Sequence, residues 1–310
     1  MKRLLKDDRG VAIAFLVIVF AGLLALSAIV IDMGSWYTQK RKLQATADAA
    51  VLAGAQDLPN TAVATASAHT YANANNSGLN AWNPTFPNTS TIEVSLAKPA
   101  PAFFAKVFGI ETVTVHARAS ANVGVPGSIY SALPIAVKES IVCAAASVGC
   151  FGVQKTLTFD NTTTESFGSS TWGLLDLSGS STSGSTCNGT VGESSQSSWV
   201  TQGYPGLLGV NRYYGASTGQ RTSIQNALNG RIGQVLLVPV YDQSDDDWCT
   251  TGGFRIIGWA AFVIDRSISN SEWNPHNKTL HGHFVEYIAH DVDSTPGVPG
   301  FGVKVIKLTG

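Results

Sequence analysis

Four groups of residues have the types and spacing that could carry chemistry. Gly215-Ala216-Ser217-Thr218-Gly219 fits the nucleophile-elbow pattern G-x-S-x-G, with Asp242 or Asp265 and then His281, His283 or His290 downstream. That is the chain order of a hydrolase in which an imidazole, oriented by a carboxylate, takes the serine proton. The chemistry needs a buried strand running into the serine within an alternating strand-helix series, and the residues before Gly215 predict no such strand. Asp176, Ser178 and Ser180 in Asp176-Leu177-Ser178-Gly179-Ser180 offer one carboxylate and two hydroxyls, a donor set suited to magnesium. Here a Ser/Gly-rich stretch follows where such a site would have a helix, so a strand ending in a turn is the plainer reading. Asp242, with Asp245, Asp246 and Asp247, could hold calcium or form a solvated turn. His281 and His283, at i and i+2, share one strand face near His276, as a metal pair or as ordinary surface histidines. None of these outweighs its plainer alternative, so the sequence predicts a non-enzymatic protein with no cofactor.

Cys143, Cys150, Cys187 and Cys249 make an even set, which in an exported segment suggests two disulfides. Of the three possible pairings, Cys143 with Cys150 closes a short loop, and Cys187 with Cys249 clamps a long Ser/Gly-rich excursion. The irregular spacings, without a Cys-x-x-Cys, argue against zinc.

The element that positions everything else is Val11 to Ile31, VAIAFLVIVFAGLLALSAIVI, an uncharged run behind a basic N-terminus. At about 1.5 Å rise per residue it spans roughly 31 Å, the thickness of a bilayer's hydrocarbon core. A cleavable signal would typically have an apolar core of only about 7–15 residues and end on a small-residue site. Lys2, Arg3, Lys6 and Arg9 precede the run, and Lys40, Arg41 and Lys42 follow it, which leans toward a cytoplasmic N-terminus. The bulk of the chain would then be extracytoplasmic. With 20 Lys and Arg against 21 Asp and Glu, no basic face is available for nucleic acid.

Beyond the span, Leu43, Ala47, Ala50, Gly54 and Leu58 recur at steps of four and three, a narrow stripe of helical period. One helix is therefore predicted from the membrane to Leu58, stopped by Pro59 and Asn60. Trp36 and Tyr37 fall where an interfacial aromatic belt belongs, and Gln44 and Asp48 take the polar side. The small residues Ala47, Ala50 and Gly54, with Ala21, Ala25 and Ala28 inside the span, would let another helix approach closely.

These same residues carry a family resemblance. Arg9-Gly10 before the span, Ile31-Asp32-Met33-Gly34 at its exit, and the run from Leu43 to Ala55, LQATADAAVLAGA, resemble TadE/TadG-like proteins of the tight-adherence (Flp) pilus system. Tyr71-Ala72-Asn73, Phe103 to Gly109 and Val113 to Ala121 continue the likeness to about residue 125, with a looser one through Trp172 to Leu177 and Val235 to Asp242. The resemblance implies a bacterial envelope protein whose partners are the membrane and other pilus-assembly or pseudopilin-like proteins. Pilins cut by a prepilin peptidase usually carry Glu five residues after the cleaved Gly. Phe15 stands there after Gly10, which favours an uncut, membrane-resident protein over a fibre subunit.

The remaining chain reads as α+β. Thr61 to Asn75 is an Ala-rich helix, Gly78 to Asn88 a loop, Thr91 to Leu96 a strand broken by Pro99 and Pro101, Ala102 to Phe108 a short helix, and Glu111 to Val123 a strand. After Val125-Pro126-Gly127 come strands at 133–137, 156–159, 172–177, 235–241, 254–265, 282–290 and 302–308, with one helix over Thr222 to Leu228. The predicted division is a basic tail (1–10), a transmembrane helix (11–31), a stalk helix (32–58), a small α+β unit (59–125) and a β-rich extracytoplasmic domain (126–310).

Overall fold

The computed structural model describes residues 8–143, 149–160, 170–181, 193–217, 222–245, 253–274 and 277–309. The chain forms two compact units, Met1–Asn122 with Lys307–Gly310, and Val123–Ile306.

Unit 1 is built on a single helix, α1 (Asp8–Gln56), of 49 residues. At helical rise it is about 73 Å long. The predicted continuity from span to stalk follows from the sequence: no proline or helix-stopping cluster interrupts the run before Pro59. The chain then reverses into α2 (Thr61–Asn75), whose N-cap Asn60 accepts from the Val63 N–H and satisfies one of the free amides at that end. The buried face of α2 is Ala64, Ala68 and Ala72, at steps of four.

Three strands complete the unit: β1 (Thr85–Asn88), β2 (Thr91–Pro101) and β3 (Thr112–Gly124). β2 and β3 pair antiparallel in unbroken register from Thr91 with Asn122 to Pro101 with Thr112. The prolines at 99 and 101 therefore do not break β2, contrary to expectation, and Pro87 lies within β1. The Ala102 N–H donates to Glu111 O, so the alternation of an antiparallel ladder turns positions 99 and 101 away from β3, where no N–H is needed. A single turn of 3-10 helix, Ala105–Phe108, replaces the predicted short helix from Ala102. Residues Lys307–Gly310 belong to this unit, and the Thr309 N–H donates to Ser120 O.

Unit 2 is organised by strands: β4 (Ser128–Ile129), β5 (Ile135–Lys138), β6 (Gln154–Asp160), β7 (Trp172–Ser181), β8 (Leu208–Gly209), β9 (Arg212–Ala216), β10 (Val235–Asp245), β11 (Gly253–Ile264), β12 (Asn277–Val285), β13 (Tyr287–Ile288) and β14 (Val303–Leu308). Two helices accompany them, α3 (Glu193–Gln202) and α4 (Thr222–Asn229). Seven strands form one sheet in the order β10-β5-β7-β9-β11-β12-β6, and β10 also pairs with β11. The strands β10, β5, β7, β9 and β11 thus return on themselves as a closed ring. Along one edge β11 pairs first with β9 and then with β12, while β10 lines its other edge. All these pairings are antiparallel except β10 with β5.

Closure explains why β11, GFRIIGWAAFVI, is apolar nearly throughout rather than alternating: both of its faces are covered. Ala260, Phe262 and Ile264 pack with Trp172, Leu174, Val238, Leu280 and Phe284 on one face. Phe254, Ile256, Trp259 and Ala261 pack with Leu175, Tyr214 and Tyr241 on the other. Cys143 and Cys150 are joined in a disulfide, and Cys143 is buried beside the first of these clusters. The expected Cys187–Cys249 pair lies outside the described residues.

One charged group sits inside that first face. The side chain of Lys278 is fully buried, its Nζ 4.4 Å from the centroid of the Phe159 ring and 6.0 Å from that of Trp273. No hydrogen-bond acceptor meets it among the described residues. Burial pushes its pKa from 10.5 down to about 8. Between those values the unfolded chain keeps the proton that the folded chain has released, so stability rises with pH across that window and is lowest below about 8. Lys278→Met is expected to remove this rise and to add about 1–3 kcal/mol at pH 7, the order of the cost of an unpaired buried polar group. Urea midpoints of both proteins at pH 7 and pH 9.5 measure both effects.

Candidate functional site

The described residues offer one surface whose chemistry demands a partner other than water. From Ile13 to Ile31 the large apolar side chains of α1 are 44–70% exposed around the whole circumference, and nothing among the described residues covers them. The segment meets the length and composition of a membrane-crossing helix near the N-terminus. A helix that is apolar on all sides is stable only in a non-aqueous environment. Ala21, Ala25 and Ala28 lie within this segment, with Ala21 and Ala25 exposed.

The first charge after the span is held firmly. The Asp32 carboxylate accepts the Phe103 N–H at 2.7 Å and the Ala105 N–H at 2.7 Å, and also the Phe104 N–H. These three amides open the 3-10 turn, where free N–H groups point outward and attract an anion. Burial of Asp32 opposes its ionisation, but the three amides outweigh that and hold its carboxyl below the usual carboxylate range. One turn further along α1, Trp36 Nε1–H donates to Pro101 O at 3.2 Å. Asp32 and Trp36 together fasten the segment after β2 to the point where the span ends. The local signal for this was present, a lone carboxylate at the end of an apolar run, but its partners lie 71–73 residues away in sequence.

Past this clasp α1 becomes a packed helix. Leu43, Ala47 and Ala50 are fully buried, and Leu58 nearly so. A Cβ on Gly54 would stand 2.8 Å from Ala64 O and 3.3 Å from Ala68 Cβ, which shows how closely α2 approaches. The structure thus places the chain's own α2 against Gly54, with Leu43, Ala47 and Ala50 buried along the same stripe, while Ala21 and Ala25 are exposed among the described residues.

The residues with chemical potential are dispersed over unit 2. A buried strand, β9, does lead into Ser217, and α4 begins five residues later, which corrects the expectation that no strand entered this position. Tyr213 and Tyr214 made the run readable as a strand, but at only five residues it gave little periodicity. The Ser217 Oγ–H donates to Gln196 Oε1 at 3.4 Å, on α3. Asp265 is bonded to His283 Nδ1 at 2.7 Å, and Asp242 forms an ion pair with Arg255. His281 stands between the Thr156 hydroxyl, 3.2 Å from Nδ1, and Glu272 Oε1, 3.1 Å from Nε2. Arg266 first, then the Ser269 amide and hydroxyl, hold the Glu272 carboxyl far below its usual range. The structure therefore joins Asp265 to His283 but gives Ser217 a different partner.

At the other candidate, Asp176 Oδ1 accepts the Ser178 N–H at 2.9 Å and the Ser178 Oγ–H at 2.6 Å. A bulge shifts the pairing with β9 between Asp176 and Ser180. The carboxylate and one of the two hydroxyls thus satisfy each other in a turn. The backbone of Asp245 ends β10, whereas Asp247 and His276 lie outside the described residues. Among the described residues no group of three or more His, Cys, Asp or Glu is arranged to hold a metal ion.

No curated protein and no solved structure matches the chain. One family model does, over the stretch that contains the exposed apolar helix, the Asp32 clasp and the packed stalk. Residues 10–57 match the family described as putative Flp pilus-assembly TadE/G-like, and it is this N-terminal segment that is similar to that family.

Proposed function

We propose that the protein is a single-pass, membrane-anchored and non-enzymatic component of Flp-type pilus assembly or surface attachment in a bacterial envelope. Its N-terminus lies in the cytoplasm, and its β-rich unit is exported as an interaction domain. The observation that carries this reading is the uncovered apolar half of α1, which coincides with the match to pilus-assembly proteins. Contacts with other assembly or pseudopilin-like proteins run through the face bearing Ala21, Ala25 and Ala28, because the stalk stripe at Leu43, Ala47 and Ala50 is already buried within the chain. Small residues there allow backbones to approach within a bilayer, where packing rather than the hydrophobic effect drives association.

The test is deletion of the chain in its own host, with surface pili scored by electron microscopy. Complementation uses the intact protein, a form in which residues 1–31 are replaced by a cleavable signal, and Ser217→Ala. Loss of pili rescued by the intact and Ser217→Ala proteins, but not by the unanchored one, is the expected outcome. Normal pili in the deletion strain would sink the proposal. The strand β9 leading into Ser217 favours a second reading, a membrane-tethered serine hydrolase; failure of Ser217→Ala to complement would promote it.

A further inference from the structure

The stretch Phe103 to Ile110, FFAKVFGI, has no place in the core of unit 1. Phe103, Phe104 and Ile110 are exposed, and Val107 and Phe108 are 83% and 82% exposed. Gly109 (φ 80°) ends the 3-10 turn in a left-handed conformation and the Ile110 N–H donates to Ala105 O, so the stretch closes into a compact tip between β2 and β3. An exposed apolar cluster of this size outside the apolar half of α1 marks a contact surface.

Its position identifies what it contacts. Asp32 immediately follows the last residue of the apolar run, and its carboxylate grips the amides of Phe103, Phe104 and Ala105. The tip is therefore fixed at its start, through the Phe103 and Ala105 amides at 2.7 Å each, to the level at which the helix leaves the hydrocarbon. Met33 and Tyr37, also exposed, continue the apolar surface of the span at this level, and Trp36 bonds back to Pro101. The exposed side chains of the tip thus lie beside the end of the exposed apolar surface of α1. Lys106, the single charge in the stretch, has the long stem and cationic head that reach phosphate from an apolar setting. Aromatic and aliphatic side chains with one such cation are the composition of an element lying in a bilayer interface.

We propose that Phe103–Ile110 is a second membrane contact, a tip that inserts Phe103, Phe104, Val107 and Phe108 into the interfacial region of the leaflet from which α1 emerges. The inference rests on the reading of α1 as a membrane span. Two points of contact, one spanning and one shallow, stop the rigid α1 stalk from swivelling and set the angle at which unit 1 leaves the membrane.

The experiment uses the intact chain in phosphatidylcholine–phosphatidylglycerol vesicles, with the photoreactive phenylalanine analogue p-benzoylphenylalanine in place of Phe108, Phe20 or Tyr71. After irradiation, mass spectrometry identifies what each position has captured. The expected result is a lipid adduct at Phe108 approaching that at Phe20 in the span, and none at Tyr71, which is exposed on α2. Asp32→Asn, which weakens the grip on the amides while keeping the shape, should lower the Phe108 lipid adduct several-fold and leave that at Phe20 unchanged. A lipid adduct at Phe20 with none at Phe108 overturns the tip and leaves the anchor standing, as does capture of a second copy of the chain as the main product at Phe108. Absence of a lipid adduct at Phe20 overturns the anchor and the tip together.

Discussion

Trp172→Ala is expected to cost unit 2 about 3–5 kcal/mol, the range for emptying a buried large aromatic site. The side chain is fully buried, packed against Phe159 at a centroid distance of 5.4 Å and against Trp273 at 6.0 Å. Its Nε1–H donates to Lys278 O at 3.2 Å, so truncation also strips a buried carbonyl of its donor. β7 lies between β5 and β9 in the closed ring, and the cavity would open where its neighbours are already pinned by pairing on both sides. Collapse into it is therefore limited, which puts the loss toward the upper end of the range. Urea unfolding of the intact chain in detergent measures it, with Trp172→Phe as a comparison that keeps most of the volume. A loss below about 1 kcal/mol would contradict the packing described.

The second large effect is expected at Gly54. A Cβ there would lie 2.5 Å from Ile92 Cδ1, which can rotate away, and 2.8 Å from Ala64 O, which cannot move without shifting α2. Gly54→Leu should therefore push α1 and α2 apart at a cost of about 3 kcal/mol, the upper part of the usual overpacking range. Amide exchange across Thr61–Asn75 should accelerate, while the strands of unit 2 keep their protection. Gly34 on the same helix provides the contrast, because a Cβ there meets nothing within 4 Å. Gly34→Ala should stabilise the helix by about 0.5–1 kcal/mol, since only the entropic cost of glycine is removed. Opposite signs from two glycines of one helix would show that the approach of α2, rather than helix propensity, decides the outcome at Gly54.

Much of the architecture was legible because it is written locally. The apolar run, the small-residue stripe and the Asn60 cap specify α1 and α2, and alternation or continuous apolar runs specify most strands. What escaped reading depended on neighbours distant in sequence. Pro99 and Pro101 look like breakers until the register with β3 shows that their missing amides face away. The helix α3, ESSQSSWVTQ, is too rich in serine to announce itself and is held by the burial of Gln196 and Val200. β9 is short, and its strand character comes from lying between β7 and β11. The candidate site divides in the same way. The anchor was readable from composition, whereas the Asp32 clasp joins residues some seventy positions apart and leaves no periodic trace. The stripe at Leu43 to Gly54 was legible as a helical face, but composition could not show that the chain's own next helix approaches it at Gly54.

Unit 1 is discontinuous in sequence: Thr309 donates to Ser120, 189 positions away. Chains are synthesised at about 5–20 residues per second, so some 10–40 s separate the appearance of the two partners. Unit 1 consequently remains unfinished until all of unit 2 has been synthesised, and its bonds to Thr309 are among the last to form. A chain stopped or clipped before Thr309 lacks these bonds to Ser120 and is left with an open seam beside β3.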